Sequence, residues 1–182
     1  MKKSYIPNLI TCVRILGTII LLFVTPMSRE FFVIYTIAGA SDALDGFAAR
    51  MLKASSEFGS KLDSIADLLF YAVMLLKIFP ILWKTLPKAI WVVVAVILLI
   101  RICIYAFTAI KYKEFASVHT YMNKVTSALI FLVPYFITRS IGKVYCWLVC
   151  ASALLAGIEE LIMHIRNKEY STKQKTLLKK NA

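Results

Sequence analysis

The chain has 182 residues, of which 60% are hydrophobic and 18% are charged, and its mean hydropathy of +0.74 lies far above the range of soluble domains. These values exclude an ordinary soluble domain and predict one integral membrane domain with room for several spans. The formal net charge of +12 fits membrane lipid headgroups and phosphate-bearing substrates, whereas no nucleic acid is expected as a partner because none of the usual basic-aromatic binding modules occurs.

Six segments are apolar enough to form membrane-spanning helices, which need about 20 apolar residues in lipid and fewer when their ends are wet or covered by protein. They comprise residues 9–25, 31–49, 62–79, 89–110, 124–137 and 143–165. Pro26, Pro80 with Pro87, and residues 139–142 mark connections on one side, and the polar stretches 51–60 and 111–123 mark connections on the other. The sequence therefore predicts an all-α polytopic membrane protein with six transmembrane helices.

The basic residues are distributed unevenly between the two sides of this arrangement. Fourteen lysines and arginines fall on the side of both termini and the longer connections, against five on the other side. Because positively charged loops tend to stay in the cytoplasm, we expect both termini and the long connections to be cytoplasmic. Residues 1–166 then form the membrane domain, and residues 167–182 form a basic cytoplasmic tail that either attracts anionic lipid or anchors the topology.

The first predicted helix follows Lys2 and Lys3, as the apolar part of a secretory signal would. No small-x-small cleavage site follows and Arg14 interrupts the apolar run, so we expect a retained first span. Asn8, Thr11 and Arg14 stand at three-residue steps and form one polar stripe on this helix. Snorkelling of Arg14 to the membrane interface is one explanation of the stripe.

All four aspartates of the chain lie between residues 41 and 67: Asp42, Asp45, Asp63 and Asp67. The first two are three residues apart at the expected cytoplasmic end of the second helix, and the last two are four residues apart at the start of the third, so each pair shares one helical face. Four carboxylates brought together would repel one another and would need protons or cations. Helix capping explains a single acidic residue, but two pairs favour a divalent ion that prefers oxygen ligands, such as Mg²⁺, Mn²⁺ or Ca²⁺.

A zinc site is not expected in this stretch. No histidine or cysteine lies near the aspartates, and the four cysteines of the chain lie in apolar runs without the paired spacing of zinc ligands. We expect Cys12, Cys103, Cys146 and Cys150 to be free thiols in membrane helices.

Small and basic residues separate the two aspartate pairs. Gly46 removes a side chain directly after Asp45, and Ala49 keeps the next turn of that face small, so a phosphate or a sugar can approach the backbone. Arg50 can hold a phosphate oxygen, although a flanking arginine of this kind can also serve topology alone. Gly59 allows close approach at the start of the third helix.

This stretch has the spacing D-x2-D-G-x2-A-R-x8-G-x3-D-x3-D, which resembles the signature of the CDP-alcohol phosphatidyltransferase family at every fixed position. The fixed positions are Asp42, Asp45, Gly46, Ala49, Arg50, Gly59, Asp63 and Asp67. The amino-terminal run IPNLITCVR also resembles a segment common in that family, and it implies that Asn8, Thr11 and Arg14 lie near the nucleotide or the lipid phosphates. The six-helix prediction agrees with the family fold over residues 5–166.

The resemblance implies a membrane enzyme that transfers a phosphatidyl group from CDP-diacylglycerol to a polar alcohol and releases CMP. It implies Mg²⁺ or Mn²⁺ as the cofactor, with ligands from Asp42, Asp45 and Asp63. Asp67 would contribute to a metal site and act as the general base on the acceptor hydroxyl. The pocket for the CDP moiety would be lined by Gly46, Ala49, Arg50 and Gly59. The resemblance also implies a homodimer. Since no serine, cysteine or histidine nucleophile accompanies the aspartates, we expect direct displacement.

Cationic residues further along the chain are candidates for the acceptor site. Arg101 stands deep in the fourth span, where it should face the bundle interior to bind an anionic acceptor or to pair with a carboxylate, unless it snorkels. Lys111, His119 and Lys124 stand near the expected cytoplasmic entrance, where a lone histidine is usually a polar surface group. We expect His164, near the end of the sixth span, at the membrane interface.

The identity of the acceptor rests on a narrower resemblance. Phosphatidylglycerophosphate synthases resemble the chain in the amino-terminal run, in an arginine of the fourth span and in a basic site leading into the fifth, which makes glycerol 3-phosphate the leading acceptor. Those enzymes commonly show Arg-Glu-Phe where Ile102 and Cys103 follow Arg101 here, so serine, an inositol phosphate and phosphatidylglycerol stay open. The alternative from another class is a small transporter that uses intramembrane carboxylates, although transporters more often scatter such acids and contain internal repeats.

Overall fold

The computed structural model describes residues 5–52, 57–112 and 120–166. These residues form the helices α1 (Tyr5–Phe23), α2 (Arg29–Leu52), α3 (Glu57–Thr85), α4 (Lys88–Tyr112), α5 (Tyr121–Phe136) and α6 (Gly142–Arg166). The prediction of an all-α fold built from six helices is therefore confirmed for the described part of the chain. The helices group into two compact units, Met1–Lys84 and Thr85–Ala182, so α1 to α3 build the first unit and α4 to α6 build the second.

Local capping groups explain where several helices begin. The Ser28 hydroxyl accepts a hydrogen bond of 3.1 Å from the Phe31 N–H in the first turn of α2. The Thr120 hydroxyl likewise accepts a hydrogen bond of 3.1 Å from the Asn123 N–H and caps α5. Each hydroxyl satisfies a backbone donor that has no partner within its helix. Pro7 lies in the first turn of α1, where a missing backbone N–H costs no helical hydrogen bond.

α3 corrects one prediction, because it continues through Pro80 to Thr85 instead of ending at residue 79. A proline removes one backbone donor and crowds the preceding turn, but a helix in apolar surroundings keeps its other hydrogen bonds, since no water competes for them. The helical structure is interrupted instead at residues 86 and 87. The Pro87 carbonyl accepts a hydrogen bond of 3.0 Å from the Ile90 N–H at the start of α4. Pro80 therefore lies inside a helix and not in a connection.

The core of the first unit is built from stacked rings and close helix contacts. Tyr35 of α2 is buried between Phe31 and Phe70, with ring centroids 5.8 Å and 5.6 Å away and nearly parallel planes. This stack packs α2 against α3. Gly17 of α1 lies against Ala38 of α2, because a Cβ atom built on Gly17 would stand 3.4 Å from the Ala38 Cβ, at van der Waals contact. Together these contacts hold α1 and α3 next to α2.

The second unit is organised around α6, which packs against both α4 and α5. Ile104 of α4 and Met163 of α6 are among its fully buried side chains. The connection between α5 and α6 is tight, since a Cβ atom on Gly142 would stand 2.5 Å from the Phe136 carbonyl oxygen. Glycine at position 142 therefore permits a close approach of the backbone that other residues would obstruct.

Three helical segments of the described chain are long and apolar enough to cross a membrane: Lys61–Thr85, Lys88–Lys111 and Gly142–Ile165. The apolar part of α1, Asn8–Phe23, is shorter. Large apolar side chains such as Leu68 and Leu76 are exposed, whereas the charged side chains of Arg14 and Glu160 are buried. Such a distribution is suited to lipid, which solvates apolar side chains and excludes charge. The predicted tail, residues 167–182, lies outside the described residues.

Candidate active site

The structure brings the two aspartate pairs together at one end of α2 and α3. Asp42 and Asp45 lie on α2, and Asp63 and Asp67 lie on α3. One carboxylate oxygen from each of Asp42, Asp63 and Asp67 lies within 4.8 Å of the others. The side chains of these three residues are 57%, 42% and 39% exposed, whereas that of Asp45 is only 6% exposed. The cluster therefore has a buried floor at Asp45 and an accessible rim.

Arg14 of α1 lies at the centre of this aspartate cluster. Its Nη2 atom is 3.3 Å from Asp42 Oδ1 and also contacts Asp45, and its Nη1 atom is 2.9 Å from Asp63 Oδ1 and also contacts Asp67. The Arg14 side chain is 1% exposed. One terminal nitrogen thus serves the α2 pair and the other serves the α3 pair, so that the planar guanidinium bridges the two helices.

Neighbouring hydroxyls hold the buried side of the cluster. Thr11, one turn before Arg14, donates a hydrogen bond of 3.1 Å to Asp45 Oδ2. Ser41 accepts a long hydrogen bond of 3.4 Å from the Arg14 Nε–H, and Thr18 donates one of 2.8 Å to the Arg14 backbone carbonyl. Two members of the predicted polar stripe therefore face the aspartates, and the remaining member, Asn8, is half-buried in the same helix.

Arg14 neutralises the carboxylates only in part. One guanidinium faces four carboxylates, so full ionisation leaves three negative charges that Arg14 does not offset. Close carboxylates raise one another's free energy, and partial burial adds a loss of hydration. Three oxygens within 4.8 Å are a donor set that suits a hard divalent cation such as Mg²⁺ or Mn²⁺. The residues present therefore fit the predicted type of cofactor.

The residues predicted to line the CDP pocket lie on the same two helices. Gly46, Ala49 and Arg50 continue α2 after the first aspartate pair, but their side-chain surroundings lie outside the described part of the structure. Gly59 is half-buried in α3, one turn before Asp63. The backbone therefore places all four residues at the end of α2 and the beginning of α3.

A second polar cluster lies within the other compact unit and is centred on Arg101 of α4. Arg101 Nη1 donates a hydrogen bond of 2.5 Å to Glu160 of α6, and Nη2 donates one of 2.6 Å to the Asn123 side-chain oxygen of α5. Asn123 in turn donates one of 3.1 Å to the same Glu160 oxygen. Of the alternatives for Arg101 that the sequence left open, the structure therefore shows pairing with a carboxylate.

Glu160 is the member of this cluster that the sequence analysis missed. Its side chain is fully buried, and its Oε1 atom lies 3.9 Å from Nε2 of His164, which is itself buried. An acidic residue in an apolar span requires a compensating partner, and Arg101 is a cation in another apolar span. The opposite charges in α4 and α6 were the signal that could have predicted the pair.

Lys111 and Lys124, two further candidates for the acceptor site, have surroundings that differ from those of Arg101. Lys111 Nζ donates a hydrogen bond of 2.7 Å to the His164 backbone carbonyl, where it complements the negative end of the α6 dipole. Its ammonium also stands 5.2 Å from the centre of the Phe107 ring. Lys124 is exposed in the first turn of α5, and His119 lies outside the described residues.

Comparison with known proteins identifies the class of protein to which this helical fold and acidic cluster belong. The sequence model of the family described as CDP-alcohol phosphatidyltransferase matches residues 4–156. Because the match covers well over half of the chain, the chain belongs to this family. The resemblance inferred from the aspartate spacing is therefore confirmed, and membership of an enzyme family disfavours the transporter alternative.

Named relatives cover part of the chain. A CDP-diacylglycerol--glycerol-3-phosphate 3-phosphatidyltransferase of Pseudomonas fluorescens is 42% identical over 93 residues, 47% of this chain and 48% of the relative. A protein of the same name from Escherichia coli is 33% identical over 92 residues, 46% of this chain and 50% of the relative. A CDP-diacylglycerol--inositol 3-phosphatidyltransferase of Candida albicans is 35% identical over 89 residues, 45% of this chain and 39% of the relative.

The chain spans about half the length of the two glycerol-3-phosphate relatives, and less of the inositol relative. No solved structure matches it. The family of the chain therefore rests on the match over residues 4–156.

Proposed function

We propose that this chain transfers the phosphatidyl group of CDP-diacylglycerol to an alcohol acceptor and releases CMP in a reaction that depends on a divalent metal. The single observation that carries the proposal is the convergence of Asp42, Asp45, Asp63 and Asp67 on two helices of a chain in the CDP-alcohol phosphatidyltransferase family. Two paired sets of carboxylates provide oxygen ligands for a cation and a proton acceptor for a hydroxyl, which are the chemical groups that this transfer requires.

The proposed roles divide the aspartates between two tasks. Asp42, Asp45 and Asp63 hold Mg²⁺ or Mn²⁺, and Asp67 adds a ligand and accepts the proton of the attacking hydroxyl. The bound ion supplies neutralisation of the diphosphate and of the departing CMP. Asp67 is suited to the proton transfer because its side chain is 39% exposed and lies on the rim of the cluster, where an acceptor can approach.

The proposed substrate contacts surround this cluster. The CDP moiety lies against Gly46, Ala49, Arg50 and Gly59. Thr11 and Arg14 support the cluster from α1, and Asn8 continues their stripe towards the start of that helix. In this proposal the chain's own groups bind and orient the diphosphate, so that the displaced oxygen and the attacking hydroxyl are aligned for direct transfer.

Glycerol 3-phosphate is the proposed acceptor. The names of several relatives specify it, while one relative is named for inositol, so the inositol reaction is the second candidate. Arg101, Lys111, His119 and Lys124 are the proposed cations of the acceptor site. Arg101 already pairs with Glu160, so the lysines would supply most of the charge available to an acceptor phosphate. Serine and phosphatidylglycerol complete the set of acceptors to be tested.

We also propose a topology for the enzyme. All six helices cross the membrane, residues 1–166 form one membrane domain, and both termini and the active site face the cytoplasm. The excess of basic residues beside the termini supports this orientation. The three helical segments with sufficient length and hydropathy support the membrane location. A homodimer is proposed from family resemblance.

The test is release of CMP by purified full-length protein supplied with CDP-diacylglycerol and, in parallel, each candidate acceptor. We expect CMP release with glycerol 3-phosphate in the presence of Mg²⁺ or Mn²⁺ and loss of release with a chelator. Asp63→Asn is the matched control, since it changes one carboxylate of the cluster to an amide of similar size, and it should release less CMP than the wild type at the same limiting metal concentration. Absence of metal-dependent CMP release with every acceptor would overturn the proposal.

A further inference from the structure

Arg14 places a fixed positive charge inside the group of carboxylates that is suited to a divalent ion. Asp42, Asp63 and Asp67 form that group, and the Arg14 guanidinium contacts each of them. The arginine side chain is 1% exposed, so it is directed into the cluster and not into solvent. A cation bound to the same carboxylates must therefore share them with the guanidinium or replace it.

Electrostatic repulsion disfavours an arrangement in which a divalent ion and the Arg14 guanidinium bind the same carboxylates on the rim of the cluster. The Arg14 Nη1 atom lies 2.9 Å from Asp63 Oδ1 and also contacts Asp67, and both aspartates are partly exposed. A divalent ion on these oxygens would lie close to the guanidinium, and like charges at such distances repel strongly when water is partly excluded. The ion and the Nη1 end of Arg14 are therefore competitors for the α3 pair.

The Nη2 end of the guanidinium is bound by more deeply buried partners. Nη2 contacts Asp45, whose side chain is 6% exposed and receives a second hydrogen bond from Thr11. The Arg14 Nε–H also faces Ser41 at 3.4 Å. Because these partners are buried beneath the cluster, loss of the α3 contacts leaves Arg14 attached to α2. The two ends of one side chain thus have partners of different accessibility.

We propose that Arg14 is an internal counter-ion that keeps the aspartates together without metal and that a divalent cation displaces from Asp63 and Asp67. Arg14 stays paired with the Oδ2 atom of Asp45 during the exchange, which leaves the other oxygen of that carboxylate for the proposed ion. The inference rests on the proposed metal site, and it assigns Arg14 a role in setting the affinity of that site. Arg14 is therefore a positioning residue. It lowers the affinity of the aspartate cluster for the ion, and in the metal-free protein it offsets the repulsion among the carboxylates.

The test measures Mn²⁺ binding to full-length protein in detergent by electron paramagnetic resonance, independently of turnover. Arg14→Gln removes the competing charge, so we expect its affinity for Mn²⁺ to exceed that of the wild type by about fivefold or more. Lys77→Gln is the matched control, because it also removes one cation from the same compact unit. Lys77 Nζ donates a hydrogen bond of 3.0 Å to the Val24 carbonyl and lies ten residues after Asp67, about 15 Å along α3. The affinity of the Lys77→Gln protein for Mn²⁺ should stay within about twofold of that of the wild type.

Thermal unfolding supplies the second measurement. Arg14→Gln should unfold at a lower temperature than the wild type in chelator, and saturating Mn²⁺ should reduce that difference. Where Arg14→Gln cannot be purified, Arg14→Lys serves, because an ammonium cannot bridge both aspartate pairs and should give smaller changes in the same directions. Equal or weaker Mn²⁺ binding by the substituted protein would overturn the counter-ion role while leaving the proposed enzyme intact. Absence of Mn²⁺ binding by the wild type would overturn both.

Discussion

Arg14 and Asp45 form an ion pair between α1 and α2 in which the two side chains are only 1% and 6% exposed. The same Asp45 oxygen accepts a hydrogen bond from Thr11, so the carboxylate is held by two side chains of α1. When one member of a buried pair is removed, the remaining charge cannot regain its full hydration. The pair therefore secures the position of α1 against α2 and forms the buried side of the aspartate cluster.

Asp45→Ala should destabilise the metal-free protein by about 3 kcal/mol, because it leaves Arg14 buried with fewer partners. The value lies at the low end for buried pairs, since removing one carboxylate also reduces repulsion in the cluster. Asp42→Ala is the matched control: its side chain is 57% exposed and 3.3 Å from Arg14, so its loss should cost less than about 1 kcal/mol. Chemical unfolding in detergent with chelator measures both, and equal losses would contradict the distinction.

Asp67→Asn should reduce the turnover number by about 100-fold or more, because an amide cannot accept the hydroxyl proton. Asp63→Asn should also lose activity, but through weaker metal binding, so saturating Mn²⁺ should restore part of its CMP release. Binding of CDP-diacylglycerol should be largely preserved in Asp67→Asn. Activity of Asp67→Asn that equals the wild type, or that Mn²⁺ restores, would remove Asp67 from the role of base.

Glu160→Leu should destabilise the second compact unit by about 3 to 5 kcal/mol, since it leaves the Arg101 guanidinium in apolar surroundings without its carboxylate. The double substitution Arg101→Met with Glu160→Leu should recover most of that loss, because neither charge remains. Lys143→Gln, at an exposed position of α6, should cost less than about 1 kcal/mol. A double-mutant cycle by chemical unfolding measures the coupling, and additive losses would show that the pair has no energetic role.

Gly142→Ala should destabilise the protein by about 1 to 3 kcal/mol, because the added Cβ would stand 2.5 Å and 2.7 Å from the carbonyl oxygens of Phe136 and Ile137. Gly17→Ala is the control within a helix. Its Cβ would meet Ala38 at an ordinary 3.4 Å, and the gain in helix propensity is about 1 kcal/mol. Gly142→Ala should therefore lower the temperature of thermal unfolding, whereas Gly17→Ala should raise it or leave it unchanged.

Much of the fold follows from local patterns in the sequence. Long apolar runs predict helices whatever their neighbours, and the spacing of three and four residues places Asp42 with Asp45 and Asp63 with Asp67 on shared faces. The end of α3 could not be predicted in this way. Whether Pro80 breaks a helix depends on what surrounds the freed backbone carbonyl, and the order of residues does not reveal those surroundings.

The sequence by itself determined the six helices of the described residues, the pairing of the aspartates and the family, because these depend on residues close together in the chain. Only the tertiary structure decided which charges meet. Arg14 reaches its four aspartates across 28 to 53 residues, and Arg101 reaches Glu160 across 59. Helical periodicity specifies the face on which a side chain lies but not the helix that covers it, whereas burial forces each charge to find a partner.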